Sequence, residues 1–297
     1  MHPTTISASG ASPHATLPPC VCGARSYRLV RASERFLGVG EPFEVHACQA
    51  CGLARTSPPP YDDELTADVY QELPYESVTT REAEWRGFFR PLLDAAWRHR
   101  PGGRFLDVGC GVGLAVKMAA ERGYEAAGVE INARSAAYAR DVMGLPVVNS
   151  DLAHAGFPEG HFSVVLLSHV LEHLSTPHTV FDDIKRVLAP DGVLVVEVPN
   201  MAGLLVPVLG ARWTGWMPNM HVWQFTPATL ARTLRLLGFE VVEVRCRDNI
   251  EIGQPCHPVK RLLRRTVFRV MEETARVLGR GDKILCVARP LPSGRAG

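Results

Sequence analysis

The feature that most constrains this chain is Phe105-Leu106-Asp107-Val108-Gly109-Cys110-Gly111-Val112-Gly113. A short apolar run of strand character leads into three glycines at alternate positions, and a helix-forming stretch follows. Glycines so placed let the backbone turn sharply and let a ligand approach the main chain closely. The rest of the chain repeats the theme. Strand-like runs occur at Ala126–Ile131, Pro146–Asn149, Ser163–Leu167, Val193–Val198, Phe239–Val244 and Lys283–Ala288. Helix-like stretches lie between most of them, at 114–122, 133–143, 175–188 and 227–237. Ser175-Thr176-Pro177 and Thr226-Pro227 offer a cap followed by proline in the first turn. Alternation of this kind predicts an α/β fold with a doubly wound, mostly parallel sheet covered on both faces.

In such a sheet, ligands bind beyond the carboxyl ends of the strands. A dinucleotide would set its pyrophosphate on the helix N-terminus, but Asp107 brings a negative charge beside that place. The spacing is G-x-G-x-G, not G-x-G-x-x-G. A ligand with a cationic amine and a sulfonium suits an acidic loop better. Glu130 closes the second strand, where an acid accepts from ribose hydroxyls. Asp151 follows the third strand, positioned to accept from an adenine amino group.

On these motifs the stretch 104–245 resembles the class I S-adenosylmethionine-dependent methyltransferases. FLDVGCGVG is similar to that family's first motif, GVEIN to its ribose-binding strand end and SDL to its adenine contact. SHVLEHLSTP and DGVLVVEVPN are similar to its fourth and fifth strand regions. The resemblance implies a Rossmann-like sheet of seven strands with the last antiparallel. It further implies S-adenosylmethionine as cofactor, lined by Asp107, Gly109, Gly111, Glu130, Asp151 and Ser168, with Cys110, Gly113, Ile131 and Leu152 beside them.

Methyl transfer from a sulfonium is an in-line displacement, so the protein must orient the acceptor and exclude water. A hydroxyl acceptor also benefits from a base. Ser168-His169-Val170-Leu171-Glu172-His173 sits where the fourth strand ends, and Met220-His221-Val222-Trp223 follows a loop containing Trp213, Trp216 and Met217. His169 and His221 are the candidate general bases. His169, Glu172 and His173 fall at i, i+3 and i+4 and share a face if helical. With His221 they form a candidate metal set; some family members carry Glu-x-x-Glu-His and a later His in this role. Here His169 stands at the first place, and three imidazoles with one carboxylate suit zinc or a transition metal better than magnesium. The plainer reading is that Glu172 and His173 fix the loop by hydrogen bonds.

Four of the eight cysteines crowd the N-terminal part. Cys48-Gln49-Ala50-Cys51-Gly52 has a zinc-knuckle spacing, and Cys20-Val21-Cys22-Gly23 is its partner. A unit with so little apolar content needs a staple, which predicts structural zinc on Cys20, Cys22, Cys48 and Cys51. Pro19 occupies the position that a Cys-x-x-Cys knuckle would give its first cysteine, so His14 or His46 are alternatives to Cys20. Such a ribbon can gate an acceptor pocket, mediate dimers or contact a carrier.

The domain order expected is a disordered tail (1–19), a zinc-ribbon-like unit (20–57), a linker with lid helices (58–100), the methyltransferase domain (101–290) and a tail (291–297). Within 58–100, Pro91 is expected to kink a helix whose apolar stripe includes Trp85, Phe88 and Phe89, with Tyr70, Tyr75 and Trp85 as either lid or core-packing residues. A basic amphipathic helix carrying Lys260, Arg261, Arg264, Arg265 and Arg269 is expected within 254–281, as a solvated face. Ser57-Pro58-Pro59-Pro60-Tyr61 reads as a linker.

Lys and Arg number 32 against 31 Asp and Glu, a net charge of +1, which disfavours a protein that holds nucleic acid by charge. No run of about 18 apolar residues suggests a membrane span, and the N-terminus lacks a basic and apolar leader, so the expected location is cytoplasmic. The expected activity is methylation of a small-molecule acceptor, a sugar or specialised metabolite, with oxygen preferred and carbon next. An RNA methyltransferase and a non-catalytic cofactor-binding scaffold are the alternatives. A homodimer is compatible with this reading.

Overall fold

The structure, a computed structural model, describes residues 17–59, 78, 80–247, 274–275 and 278–292. Most of the expected N-terminal tail with His14, the lid candidates Tyr70 and Tyr75, the basic helix with Lys260 through Arg269, and residues 293–297 lie outside the described residues.

In chain order the elements are β1 (Tyr27–Arg35), β2 (Pro42–Cys48), β3 (Ala54–Ser57), α1 (Glu82–His99), β4 (Arg104–Val108), α2 (Leu114–Glu121), β5 (Glu125–Glu130), α3 (Ala133–Ala137), β6 (Val147–Asn149), β7 (Phe162–Ser168), α4 (Pro177–Val187), β8 (Leu188–Pro199), α5 (Val206–Leu209), β9 (Trp223–Gln224), α6 (Pro227–Leu236), β10 (Phe239–Arg247) and β11 (Lys283–Pro290). The main sheet has seven strands in the order β10-β11-β8-β7-β4-β5-β6. β11 runs antiparallel to both neighbours, and the pairs from β8 to β6 are parallel. This is the sheet the resemblance implies.

Both faces of the sheet are buried, which is why its central strands read as nearly continuous apolar runs. Phe105, Val164, Leu166, Val193, Val195, Leu285 and Val287 face α1 and α2, against Phe88, Leu92, Leu93 and Leu114. The alternate residues Leu106, Val165, Leu167, Leu194, Val196 and Cys286 face α4 and α6, against Phe181, Ile184, Leu230 and Leu234. Pro91 lies inside α1, and the helix is a single element from Glu82 to His99. Trp85 packs with Phe88 and Phe89 at ring-centroid distances of 5.4 and 6.3 Å. At the start of α6 the expected cap forms: Thr226 and Thr229 exchange side-chain and backbone hydrogen bonds in a capping box. Thr176 precedes α4 without a side-chain cap.

A second sheet has the order β1-β2-β3-β9. Its first three strands come from the cysteine-bracketed unit, but its fourth comes from far down the chain. Cys20, Val21, Cys48, Cys51 and Leu53 belong to the same buried cluster as α4, α6 and Trp223. Little apolar content of its own therefore does not leave the ribbon unsupported; it borrows the main core.

No helix among the described residues is long and apolar enough to cross a membrane.

Candidate functional site

β4 ends at Val108, and the glycine loop crosses the top of β5. The amides of Gly109 and Cys110 both donate to Val129 O, at 2.8 and 3.1 Å. Gly109 has φ +73°, and a Cβ there would lie 2.8 Å from Val170 Cγ2, so only glycine lets the loop meet the turn after β7. Gly111 has φ +55° with nothing among the described residues within 4 Å of a built Cβ, which leaves its backbone open on that side. Gly113 faces inward, with Leu145 and Ala139 crowding it. The Cys110 thiol is buried and packs against Gly128.

Glu130 ends β5 and is buried. Its Oε2 accepts from Gly111 N and its Oε1 from Asn132 N, both at 2.7 Å. Burial pushes its carboxyl up while these amides pull it down, with a net upward shift. A carboxylate offers about four acceptor sites, so this pinned group keeps capacity for a hydroxyl donor. Asp107 is 3% exposed, and no donor among the described residues hydrogen-bonds its carboxylate. Burial and the Glu130 charge push its carboxyl well above the usual range. A buried carboxyl without a donor is costly, and a cationic group laid against it would relieve that cost. Asp151 is exposed and accepts from His154 N at 2.9 Å, with the His154 ring at 2.7 Å. Ile131 is exposed, Leu152 buried and Ser168 half-buried at the end of β7. The donorless Asp107, the pinned Glu130 and the open face of Gly111 fit the amine, ribose and close backbone contact of S-adenosylmethionine.

Two residues past Ser168, Val170 touches the glycine loop, and a histidine cluster follows. His169 has φ +55° and Leu171–His173 is a single 3-10 turn. The shared face expected of a helix is thus replaced by convergence on one carboxylate. Glu172 is fully buried. Its Oε1 lies 3.0 Å from His169 Nδ1 and 4.0 Å from His221 Nε2, while its Oε2 has no hydrogen-bond partner among the described residues. On its other side, His169 Nε2 lies 3.6 Å from Glu197 Oε1. Arg247 grips Glu197 with two nitrogens, donates to Phe88 O at 3.0 Å and lies over the Phe88 ring. A buried row of alternating charge results: Arg247, Glu197, His169, Glu172. Burial opposes the charge on His169, but the two flanking carboxylates outweigh it and raise its pKa to about 9. Burial likewise opposes the Glu172 anion, but His169 holds it at about 2.

His221 and His173 behave differently. Burial lowers both, His221 to about 4, against the pull of Glu172. His221 Nδ1 lies 2.9 Å from Gly215 O and His173 Nδ1 3.1 Å from Met220 O. A carbonyl only accepts, so each neutral ring carries its proton on Nδ1 and its lone pair on Nε2. One ligand atom from each of Glu172, His173 and His221 lies within 4.8 Å of the others. Backbone-anchored imidazoles around a carboxylate are the usual surroundings of a bound metal ion.

The four N-terminal cysteines also come together, within 4.8 Å of one another. Cys20 Sγ lies 3.4 Å from Cys51 Sγ, and Cys22 Sγ 3.6 Å from Cys48 Sγ. Disulfide sulfurs sit at about 2.05 Å, whereas a tetrahedron of ~2.3 Å zinc–sulfur bonds has edges of roughly 3.8 Å. Burial opposes ionisation of Cys48, but the amides of Cys51 and Ala50 outweigh it and draw the thiol down to about 7. Cys20 therefore stands in the cluster, while His46 pairs with Glu44 at 2.9 Å.

Sequence reasoning missed Glu197 and Arg247. Glu197 did carry a signal, as a lone carboxylate inside an apolar run bound for the core. Arg247 carried none, lying beyond the expected end of its strand.

A model of the methyltransferase domain matches residues 79–244. A ubiquinone biosynthesis O-methyltransferase from Maricaulis maris is 33% identical over 130 residues, covering 40% of this chain and 50% of that one. Its counterpart from Azorhizobium caulinodans is 30% identical over 179 residues, covering 53% and 70%. The chain spans 50% and 62% of the lengths of the first two curated relatives it matches. Among solved structures, a SAM-dependent methyltransferase from Thermotoga maritima superposes with a TM-score of 0.54 at 16% identity, covering 75% of this chain and 99% of that one. The 1,6-didemethyltoxoflavin-N1-methyltransferase of Burkholderia thailandensis, solved with S-adenosylhomocysteine, gives 0.51 at 17% identity, covering 81% and 95%. These likenesses concern the fold. With the glycine loop, its acids and the family match across 79–244, the chain belongs to the S-adenosylmethionine-dependent methyltransferases.

Proposed function

We propose that the protein methylates a hydroxyl oxygen on a small molecule, such as a sugar or specialised metabolite, with His221 as general base. One observation carries this reading: a fully buried carboxylate, Glu172, facing a tautomer-locked His221, on a turn whose Val170 touches the cofactor loop. The relatives named ubiquinone biosynthesis O-methyltransferases support oxygen as acceptor.

When bound, the cofactor supplies a methyl group on a sulfonium, and transfer forms the oxygen–carbon bond as the carbon–sulfur bond breaks. His221 Nε2 takes the hydroxyl proton, and Glu172 stabilises the imidazolium so formed. His169, held between two carboxylates, is a fixed cation that keeps Glu172 ionised and aimed. The buried Trp213, Trp216 and Met220 exclude water from the loop beside His221. Supplying the purified protein with S-adenosylmethionine and a panel of hydroxylated acceptors tests this reading. Methyl products on nitrogen or carbon alone, or turnover untouched in His221→Ala, would overturn it.

The unpartnered Glu172 Oε2 favours a second reading at the same place, a divalent cation on Glu172, His173 and His221. The cation would act as a Lewis acid on the acceptor oxygen. Turnover abolished by a chelator and restored by a divalent ion, with the cysteine cluster still loaded, would select it over the metal-free base.

The sulfur geometry supports structural zinc on Cys20, Cys22, Cys48 and Cys51. Metal analysis of protein never exposed to chelator should give about one zinc per chain, and less than half would count against the site.

A further inference from the structure

We infer that the N-terminal ribbon is the positioning element of His221, with Thr56 and Gln224 as the positioning residues. The inference rests on His221 serving the acceptor, as proposed above.

β9 is only two residues long and pairs with the ribbon strand β3, through Ala54 with Gln224 and Arg55 with Trp223. A ladder this short is marginal alone, and side chains reinforce it. Gln224 Nε2 donates to Thr56 Oγ1 at 3.2 Å and to Trp216 O at 2.9 Å. The Arg55 guanidinium lies over the Trp223 ring, whose Nε1 donates to Leu174 O at 2.7 Å.

These ties bracket His221. The next residue, Val222, is held from both sides: its amide donates to Glu172 O at 2.8 Å, and its carbonyl accepts from Thr56 N at 3.0 Å. One residue thus links the turn bearing Glu172 to the ribbon. The carbonyl that sets the tautomer of His221 belongs to Gly215, and the adjacent Trp216 carbonyl is held by Gln224. Trp216 also packs on ribbon residues, with Phe43 at 6.0 Å between centroids and Arg31 over its ring. Without the Thr56 hydroxyl, Gln224 keeps its bond to Trp216 O but loses its tie to the ribbon, and the Gly215 carbonyl is held less firmly.

The cysteine cluster controls the origin of β3. Cys48 N donates to Leu53 O, and Gly52 N to Cys48 O, both at 2.8 Å. Arg232 of α6 donates to Cys51 O at 2.7 Å. The knuckle turn therefore sets where β3 begins and, through β3, where His221 stands. The Asp107–Glu130 side is held by β4 and β5 instead.

The test compares Thr56→Val, which removes only the hydroxyl, with Thr56→Ser, which restores it, in the full chain with its cysteine cluster loaded. Histidine nitrogen NMR reads the His221 tautomer, and calorimetry with S-adenosylhomocysteine reads cofactor binding. Thr56→Val is expected to mix the Nδ1–H and Nε2–H forms of His221 and to lower kcat about tenfold or more. Cofactor affinity should stay within about twofold, and Thr56→Ser should recover both readouts. If Thr56→Val fails to bind cofactor, Gln224→Met replaces it with the same expectation. A wild-type tautomer pattern in the folded variant overturns the inference. A shifted tautomer in a protein that methylates no acceptor upholds it and removes the methylation reading instead.

Discussion

Asp107, the glycine loop and Glu130 come from two neighbouring strands and the turns after them, all within one short stretch. His169, Glu172, Glu197, His221 and Arg247 come from the ends of β7, β8 and β10 and from an irregular loop, with β3 of the ribbon behind them. The first region is held by backbone amides of its own loop. The second is held by long-range bonds, some between side chains and others between side chain and backbone or between distant backbone segments. A region of the first kind retains its geometry as long as the sheet stands, whereas one of the second kind depends on every segment that meets there. The cofactor half and the histidine half should therefore fail separately.

The most damaging change should be Arg247→Leu, which strands the buried Glu197 charge. Removing one partner of a buried pair costs ~3 kcal/mol or more, and urea unfolding should show it. Next comes His221→Ala, expected to cut turnover by ~10²-fold or more while calorimetry gives an almost unchanged cofactor affinity. An equal loss of both would mean the two halves are one unit. The mirror experiment is Asp107→Asn. Loss of one charge-assisted contact should weaken cofactor binding by about tenfold, with the tautomer of His221 unmoved in the NMR spectrum. The smallest effect is expected from Thr226→Ala, which opens the capping box of α6 and should lower stability by ~1 kcal/mol. Because α6 carries Arg232 to Cys51 O, hydrogen exchange should quicken in the ribbon and not in the glycine loop.

Much of the first half was legible before any coordinates. Three alternate glycines after an apolar strand, an acid two residues before them and another at the next strand end are local patterns. They report local geometry because strand, turn and helix are set by residues near one another. The seven strands were legible for a related reason: burial on both faces demands uninterrupted apolar runs. The histidine half was legible only as a list. His169, Glu172, His173 and His221 stood out as types, but their roles depend on partners elsewhere. His169 reads as a free base until Glu197 and Arg247 take their places beside Glu172. The ribbon reads as a separate unit until its sheet gains β9.

The amino-acid order alone settled the fold class and marked the glycine loop, because both rest on periodicity or close spacing, but it left the fourth member of the cysteine group open among Cys20, His14 and His46. Only the tertiary structure decided that two carboxylates flank His169 while His221 is buried against a backbone carbonyl, and that the ribbon is continuous with the histidine loop. Charge state follows from burial and from the charges packed alongside, and those neighbours arrive from positions far apart along the chain.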